Sequence, residues 1–270
     1  MNRAAVALRA AVALLALAVA GTAHATDPDT DHPADAATVP GDADTEDPPH
    51  HVSLFAGTDL TSKGSYSGFI GATLAPTGTL EQTGPRIGFL TSGGVYRYNT
   101  TLTDAVTEQD APVTVKGKYI SGDVLFGYGL VGENWNTKLY VGLNVQDQFI
   151  SPPDPGNPVV GVRAGVKVQG DAWVNPTKET MLFGIASYST AFRTYYSNFK
   201  VGYDIFNGKE IFVGPEIGAQ GNERYDQLRV GAHITGLKVN NVSLGFSGGY
   251  MHESDVGAGI YGTIDLSYDF

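Results

Sequence analysis

The sequence predicts an all-β protein, a transmembrane antiparallel up-and-down β-barrel of about 12 strands, preceded by a signal peptide and a disordered acidic tail. Three observations predict it. An export signal opens the chain and no later apolar run is long enough for a membrane helix; apolar residues then recur with a period of two; and the last strand ends on an aromatic residue, Phe270.

Composition sets the outer limits. The 270 residues include 35 Gly and no Cys, 17% are charged, and the net charge is -11. So much glycine without a triplet repeat or a loss of apolar residues describes a folded chain rather than collagen or a disordered one. Without cysteine there is no disulfide framework and no thiolate chemistry, and the 6 His are too scattered for a zinc site by spacing. The acidic balance argues against a nucleic-acid partner, which needs a basic surface. No cofactor and no metal are expected.

Residues 1–25 read as the signal. Arg3 and Arg9 are the only charges before Ala10–Ala20, an uninterrupted apolar run, and Ala23-His24-Ala25 supplies small residues where a signal peptidase cuts. A membrane helix needs about 20 apolar residues, so membrane residence must come from strands.

Residues 26–51 read as a tail. It holds eight acids (Asp27, Asp29, Asp31, Asp35, Asp42, Asp44, Glu46, Asp47), five prolines and almost nothing to bury. Such a segment cannot offset the entropy of ordering itself and is expected to be a solvated spacer. His50 and His51 read as a polar entry to the first strand rather than a metal pair.

Residues 52–270 read as the barrel. Leu139, Val141, Leu143 and Val145 alternate with Lys138, Tyr140, Gly142, Asn144 and Gln146. The same pattern recurs over Gly161 to Gln169 and Gln227 to Thr235, one face apolar and the other charged or glycine. Twelve strands are expected, near 52–59, 64–75, 84–98, 113–130, 136–149, 158–174, 179–190, 193–206, 210–220, 225–236, 242–252 and 257–270. The even number suits a closed bacterial barrel, and the spacing leaves room for the about 9 to 11 residues that cross a bilayer at a tilt. Sandwich strands are shorter, about 5 or 6 residues as a rule.

If Val52 starts in the periplasm, every second connection should be tight. Gly132 to Asn134, Asn175 to Lys178, Asn207 to Lys209 and Leu237 to Asn241 fit, against the longer Asn99 to Pro112, Ser151 to Pro158 and Gln220 to Arg224. Aromatic residues near strand ends are expected to form girdles at headgroup level. These are Phe126, Tyr128, Trp135, Trp173, Tyr203 and Phe206 on one side, and Tyr96, Tyr98, Phe149, Tyr188, Phe192, Tyr195, Tyr196 and Tyr225 on the other.

In the last strand Ile260, Ile264, Leu266, Tyr268 and Phe270 share a face, with Asp265, Ser267 and Asp269 opposite. Leu266, Tyr268 and the closing Phe270 resemble the recognition signal of the outer-membrane barrel assembly machinery.

Alternation also nominates the lumen. Asp123, Lys138, Asn144, Gln146, Arg163, Lys167, Gln169, Lys200, Asp204, Glu216, Arg229 and His233 are expected to point inward, with Gly142, Gly165, Gly184, Gly202, Gly214, Gly231 and Gly245 relieving crowding among them. Both signs occur, which fits either an internal network of ion pairs or a charged, water-filled path.

Three stretches carry a family resemblance: SPPDPGNPVVGVRAGVKVQGDAWVNPT from Ser151 to Thr177, SYSTAFRTYYS from Ser187 to Ser197, and FVGPEIGAQGNERYDQLRVGAHITGL from Phe212 to Leu237. They resemble the cellulose biosynthesis protein BcsS family, predicted outer-membrane proteins of alphaproteobacteria associated with cellulose synthesis genes. With YSGFIGATLAP near the start and the final strand, the resemblance covers Gly64 to Phe270. It implies a surface or export role in exopolysaccharide production and brings no catalytic residues.

The same residues bear on an enzymatic role. Gly245-Phe246-Ser247-Gly248-Gly249 matches G-x-S-x-G in letters, but that motif works as a strained strand-to-helix turn and here it lies inside an alternating strand. His233 points inward and His252 sits at a rim beside Glu253 and Asp255, neither with an evident serine partner, so no catalytic residue is nominated. Arg193, Tyr195, Tyr196, Asn222, Glu223, Arg224 and Tyr225, at connections on the outer side, have the aromatic and charged composition of sugar-binding surfaces and are the candidate glucan contacts. Ser151 to Pro158 reads as a loop stiffened by proline.

The expected function is a non-enzymatic outer-membrane barrel supporting cellulose biosynthesis, export or surface anchoring; the alternatives are a small general diffusion pore and an outer-membrane lipid hydrolase. Expected partners are outer-membrane lipid, the barrel assembly machinery, the cellulose chain and cellulose synthase components.

Overall fold

The structure is a computed structural model that describes residues 49–103, 109–206 and 208–270. The expected signal peptide, all of the acidic tail before Pro49, the tip of the connection after Thr103, and Asn207 lie outside the described residues.

Twelve strands follow one another in chain order: β1 (Val52–Thr61), β2 (Tyr66–Leu74), β3 (Gly84–Thr103), β4 (Asp110–Val131), β5 (Trp135–Ser151), β6 (Gly161–Thr177), β7 (Thr180–Ser189), β8 (Tyr195–Asp204), β9 (Phe212–Gly221), β10 (Asp226–Val239), β11 (Val242–Glu253) and β12 (Gly257–Asp269). Each is hydrogen-bonded antiparallel to its chain neighbours, and β12 returns to β1, so the sheet is a closed barrel without a free edge. The seam runs from Ser53 opposite Asp269 to Thr61 opposite Tyr261. Below it the carbonyl of Phe270 accepts from the amides of His51 and Val52, and its own amide donates to Val52.

The faces follow the alternation. Leu139, Val141, Leu143 and Val145 are 47% to 65% exposed on the outer wall, while Asn144 and Gln146 between them are 2% and 5% exposed. Exposed apolar side chains continue round the wall, including Ile70, Ile120, Val162, Val201, Val230 and Ile260. A belt of this extent is untenable in water and natural in a bilayer.

Two connections depart from expectation. The stretch Asn99 to Pro112 is largely strand, because Asn99 to Thr103 keep the threonine-rich alternation that favours extended pairing; the β3–β4 ladder therefore continues to Thr103 opposite Asp110. On the side of the termini, residues 75–83 form a long connection rather than a tight turn. It is tied down by Leu80 donating to the His50 carbonyl, by the ring of His51 on the Gly78 carbonyl and by His50 paired with Glu81 at 2.8 Å.

The aromatic girdles need correction. Phe126, Tyr128, Tyr203 and Phe149 are on the outer wall, more than half exposed. Trp173, Tyr96, Tyr98 and Phe192 are inside. Trp173 shares the face of Asp171 and packs on Phe183 and Phe212 with ring centroids 6.0 and 6.1 Å apart, and Tyr98 is 3% exposed. Position along a strand sets height in the membrane, whereas residue parity sets the face, and parity decides here. By the same rule Gly184, in register with Ala172 and Phe199, belongs to the outer wall.

Candidate functional site: the lumen

The lumen is built in two unlike sides. On the β4–β7 side, Asp123 of β4 is bonded by Lys167 of β6 and by the amide of Asn144 on β5. The Asn144 carbonyl in turn accepts from Ser189 at 2.7 Å and from Gln146 at 2.8 Å. A strap of chain, Thr190–Thr194, folds inward over this network instead of arching away from the mouth. Gln146 donates to the Thr194 hydroxyl at 2.9 Å, and Thr190 exchanges two hydrogen bonds with Val166. The strap's backbone at Ala191 lies where any side chain at position 165 would stand, so Gly165 is the residue that lets it in.

Phe192 is the strap's apolar anchor, with 0% exposure. The guanidinium of Arg163 stacks on its ring at 4.3 Å and pairs with Glu223 at 3.1 Å, while the Glu223 amide donates to the Phe192 carbonyl. Phe192 and Arg193 have φ of 50° and 49°, a left-handed pair unusual for side chains of this size. Strained backbone of this kind persists only where the surroundings impose it.

The other side of the lumen is formed by β8 to β12 with β1 and β2. Arg229 of β10 reaches Asp59 of β1 through both terminal guanidinium nitrogens, one of them at 2.9 Å, and stacks on Tyr261 at 4.9 Å. Lys200 of β8 lies 3.9 Å from Glu216 on β9 and 3.6 Å from Asp265 on β12, and Tyr261 donates to Glu216. Lys200 and Asp265 belong to strands four places apart, so their pair crosses the bore. Yet Tyr196, on the inward face of β8 with Lys200, and the Asp265 side chain are each 41% exposed, so solvent reaches this side.

Below both sides the interior is packed. Trp173, Phe183 and Phe212, with the buried Met181, form an apolar base under β6–β9. Arg86, 1% exposed, donates to the carbonyls of Pro85, Leu80 and Gln82, which fixes the 75–83 connection across the bore.

The nominated lumen residues are thus sorted into different duties. Lys138 pairs with Asp171 at 3.2 Å, and Gln169 shares its inward row with Lys167 and Asp171 on β6. Asp204 answers no lumen cation; its carboxylate accepts the amides of Phe206, Gly208 and Glu210 and so caps the β8–β9 turn. Asp59 and Asp265, the partners of Arg229 and Lys200, lie outside the nominated set, although the same alternation places Asp265 between Ile264 and Leu266 and Asp59 between Thr58 and Leu60.

His233 stands directly opposite Ser247 across the β10–β11 ladder, so the inward histidine does have a serine neighbour. The pair is not a nucleophile and base: the ring nitrogens of His233 lie on the Thr235 hydroxyl at 2.9 Å and the Val201 carbonyl at 3.1 Å. Among the described residues no cluster of His, Asp and Glu could hold a metal ion.

The candidate glucan contacts do not form one surface. Tyr196 faces the lumen, and Tyr225 closes the β9–β10 turn, its carbonyl accepting from the Asn222 amide at 3.0 Å. Tyr195 lies against the outer wall, its hydroxyl on Asp226 at 2.7 Å. Asn222 caps its own turn through the amides of Arg224 and Tyr225, Glu223 latches the strap, Arg224 pairs with Asp255 at 3.7 Å, and Arg193 is 63% exposed. The loop from Ser151 to Pro158 is fixed by more than proline, since Asp154 and Asn157 both hydrogen-bond the Tyr98 hydroxyl.

Comparison with known proteins gives a family and a set of barrels. The family model described as cellulose biosynthesis protein BcsS matches residues 53–270. Among solved structures, the chain is similar to the KdgM porin (7% identity, 81% of this chain and 99% of that one, TM-score 0.41). It is also similar to LpxR from Salmonella typhimurium (13% identity, 81% and 100%, TM-score 0.44) and to the monoaromatic hydrocarbon channel TodX in a ΔS2S3 mutant (8% identity, 83% and 91%, TM-score 0.49). A search of curated proteins gave no match.

Proposed function

The chain belongs to the cellulose biosynthesis protein BcsS family, and from that premise we propose that it is a non-enzymatic outer-membrane barrel that supports cellulose production by holding the polymer or its machinery at the cell surface. One observation carries the choice of holding over conducting. The bore is crossed by the Arg229–Asp59 and Lys200–Asp265 pairs and covered on its other side by the strap, which leaves poor clearance for a polymer in transit. Outer-membrane lipid is the natural solvent for the apolar belt. The barrel assembly machinery is the expected partner for Leu266, Tyr268 and Phe270, and components of a cellulose synthase are the expected partners at the mouths.

The 41% exposure of Asp265 and Tyr196 favours a second reading, a small diffusion pore. A lipid hydrolase gains no support, because Ser247 faces the lumen and His233 is engaged elsewhere.

The test has two parts. Cells lacking the chain should hold less cellulose at their surface, and the purified barrel in liposomes should pass small sugars slowly; unchanged cellulose together with rapid flux would transfer the assignment to the pore. Fractionation should find the protein in the outer membrane, with gel mobility that changes on boiling. Removal of Phe270 should impair assembly, because its backbone closes the ladder to Val52.

A further inference from the structure

Resting on the reading of a glucan-handling barrel, we propose that the solvent-reached side of the lumen is a binding site for a neutral oligosaccharide. Two aromatic faces stand on opposite walls there, Tyr196 of β8 at 41% exposure and Phe69 of β2 at 36%. Gly57 joins the second face to the polar groups: its missing side chain leaves the space that both the Phe69 ring and the Asp265 carboxylate fill. Asp265 is held by Lys200 at 3.6 Å and still shows 41% of its side chain to solvent.

A second, independent observation points to a ligand. Oδ1 of Asn198, which shares the inward face of β8 with Tyr196 and Lys200, is buried and has no hydrogen-bond partner among the described residues, and Oε2 of Glu216, itself 4% exposed, has only the Lys200 ammonium at 3.9 Å, beyond hydrogen-bond reach. Buried acceptors of this kind are rarely left unpaired in a native protein. Both are pure acceptors, so what they lack is a donor, which a sugar hydroxyl supplies.

The class of sugar follows from charge and shape. Lys200 and Arg229 carry two positive charges against three negative ones on Asp59, Glu216 and Asp265, a local excess of one negative charge that disfavours uronates and other acidic sugars. Exposed aromatic rings on the two walls suit a flat pyranose whose C–H faces are apolar and whose hydroxyls lie at its rim, the form of β-linked glucose.

The probes are cellotetraose and tetragalacturonate, titrated onto the full-length mature barrel in detergent by calorimetry, with boiling-dependent gel mobility as the check on folding. Cellotetraose should bind and tetragalacturonate should not; Tyr196→Ala should weaken the binding by about tenfold. Asp265→Asn, a near-isosteric change at a half-exposed position, should weaken it severalfold and serves as the deciding variant if Tyr196→Ala does not fold. No heat on titrating cellotetraose, or equal affinity in folded Tyr196→Ala and Asp265→Asn, overturns the site. Cellulose yield of cells lacking the chain separates the two claims: a reduced yield without cellotetraose binding removes the site and keeps the function, and binding with an unchanged yield does the reverse.

Discussion

The two sides of the lumen solve one problem by different means. Between β4 and β7 the polar groups are covered by chain: Asn144 is 2% exposed, Ser189 3% and Phe192 0%. Across β8 to β2 no strap intervenes among the described residues, and charges spaced round the wall meet over the bore, leaving Asp265 and Tyr196 each 41% exposed. Covering gives a dry, hydrogen-bonded packing that resembles an ordinary protein core. Pairing leaves side chains such as Asp265 and Tyr196 open to solvent between the charges.

The sharpest break of this contrast is Arg229→Ala. The Arg229 side chain is 8% exposed and that of Asp59 20%, so the change strands a largely buried carboxylate, with an expected loss of about 3 to 5 kcal/mol. Urea unfolding in lipid vesicles reads the loss, and because the pair also crosses the bore, single-channel conductance on the same protein should rise alongside it. A large conductance change with an unmoved midpoint would mean that this pair stands in open water.

Phe192→Ala attacks the covered side. It removes the strap's anchor from a site with no exposure and should cost about 3 kcal/mol, while conductance rises severalfold as the strap loosens. A stable, equally tight barrel would show that the polar contacts of Gln146 and Ser189 hold the strap without its ring. Asp265→Asn probes the wet side, where water screens the Lys200 pair; an effect on stability of about 0 to 1 kcal/mol is expected.

The smallest effect lies outside the spanning strands. Partial burial pulls the Glu81 carboxyl upward, but the hydrogen bonds from His50 and from backbone amides prevail and hold it below its usual range. A depressed folded-state value means that the contribution is present above the unfolded value of 4.5 and is lost as pH falls through the folded one. The protection factor of the Leu80 amide, bonded to the His50 carbonyl, should therefore fall as pH drops below 4.5, and Glu81→Gln should abolish that dependence.

How much of this was legible in the sequence depends on distance along the chain. Twelve strands and the inward face of β5, β6 and β10 were legible, because alternation is a local property. The partners of Arg229 and Lys200 were not, because Asp59 and Asp265 come near them only when closure brings β1 and β12 round to β10 and β8. The strap was hidden for another reason. Thr190 to Thr194 has the length of a simple turn, and no periodicity tells a turn that folds in from one that arches out; the single clue was Phe192, a large apolar residue in a connection. Trp173, Tyr96 and Tyr98 show the remaining error, in which a strand-end position was given more weight than parity.

The seam between β1 and β12 has a consequence in time. Every other ladder joins strands that are consecutive in the chain and forms as a hairpin, on a scale of about microseconds for an isolated example. The seam joins Ser53 to Asp269, so its loop-closure entropy is the largest in the molecule and it should form last. Until then β1 and β12 are both open edges, carrying Leu54 and Leu60 on one and Ile264 and Leu266 on the other, and each is a template for the wrong partner. The liability of these two edges is thus set by the ladder itself: the stretch of chain with the most open edge during folding is the one that ends without an edge at all.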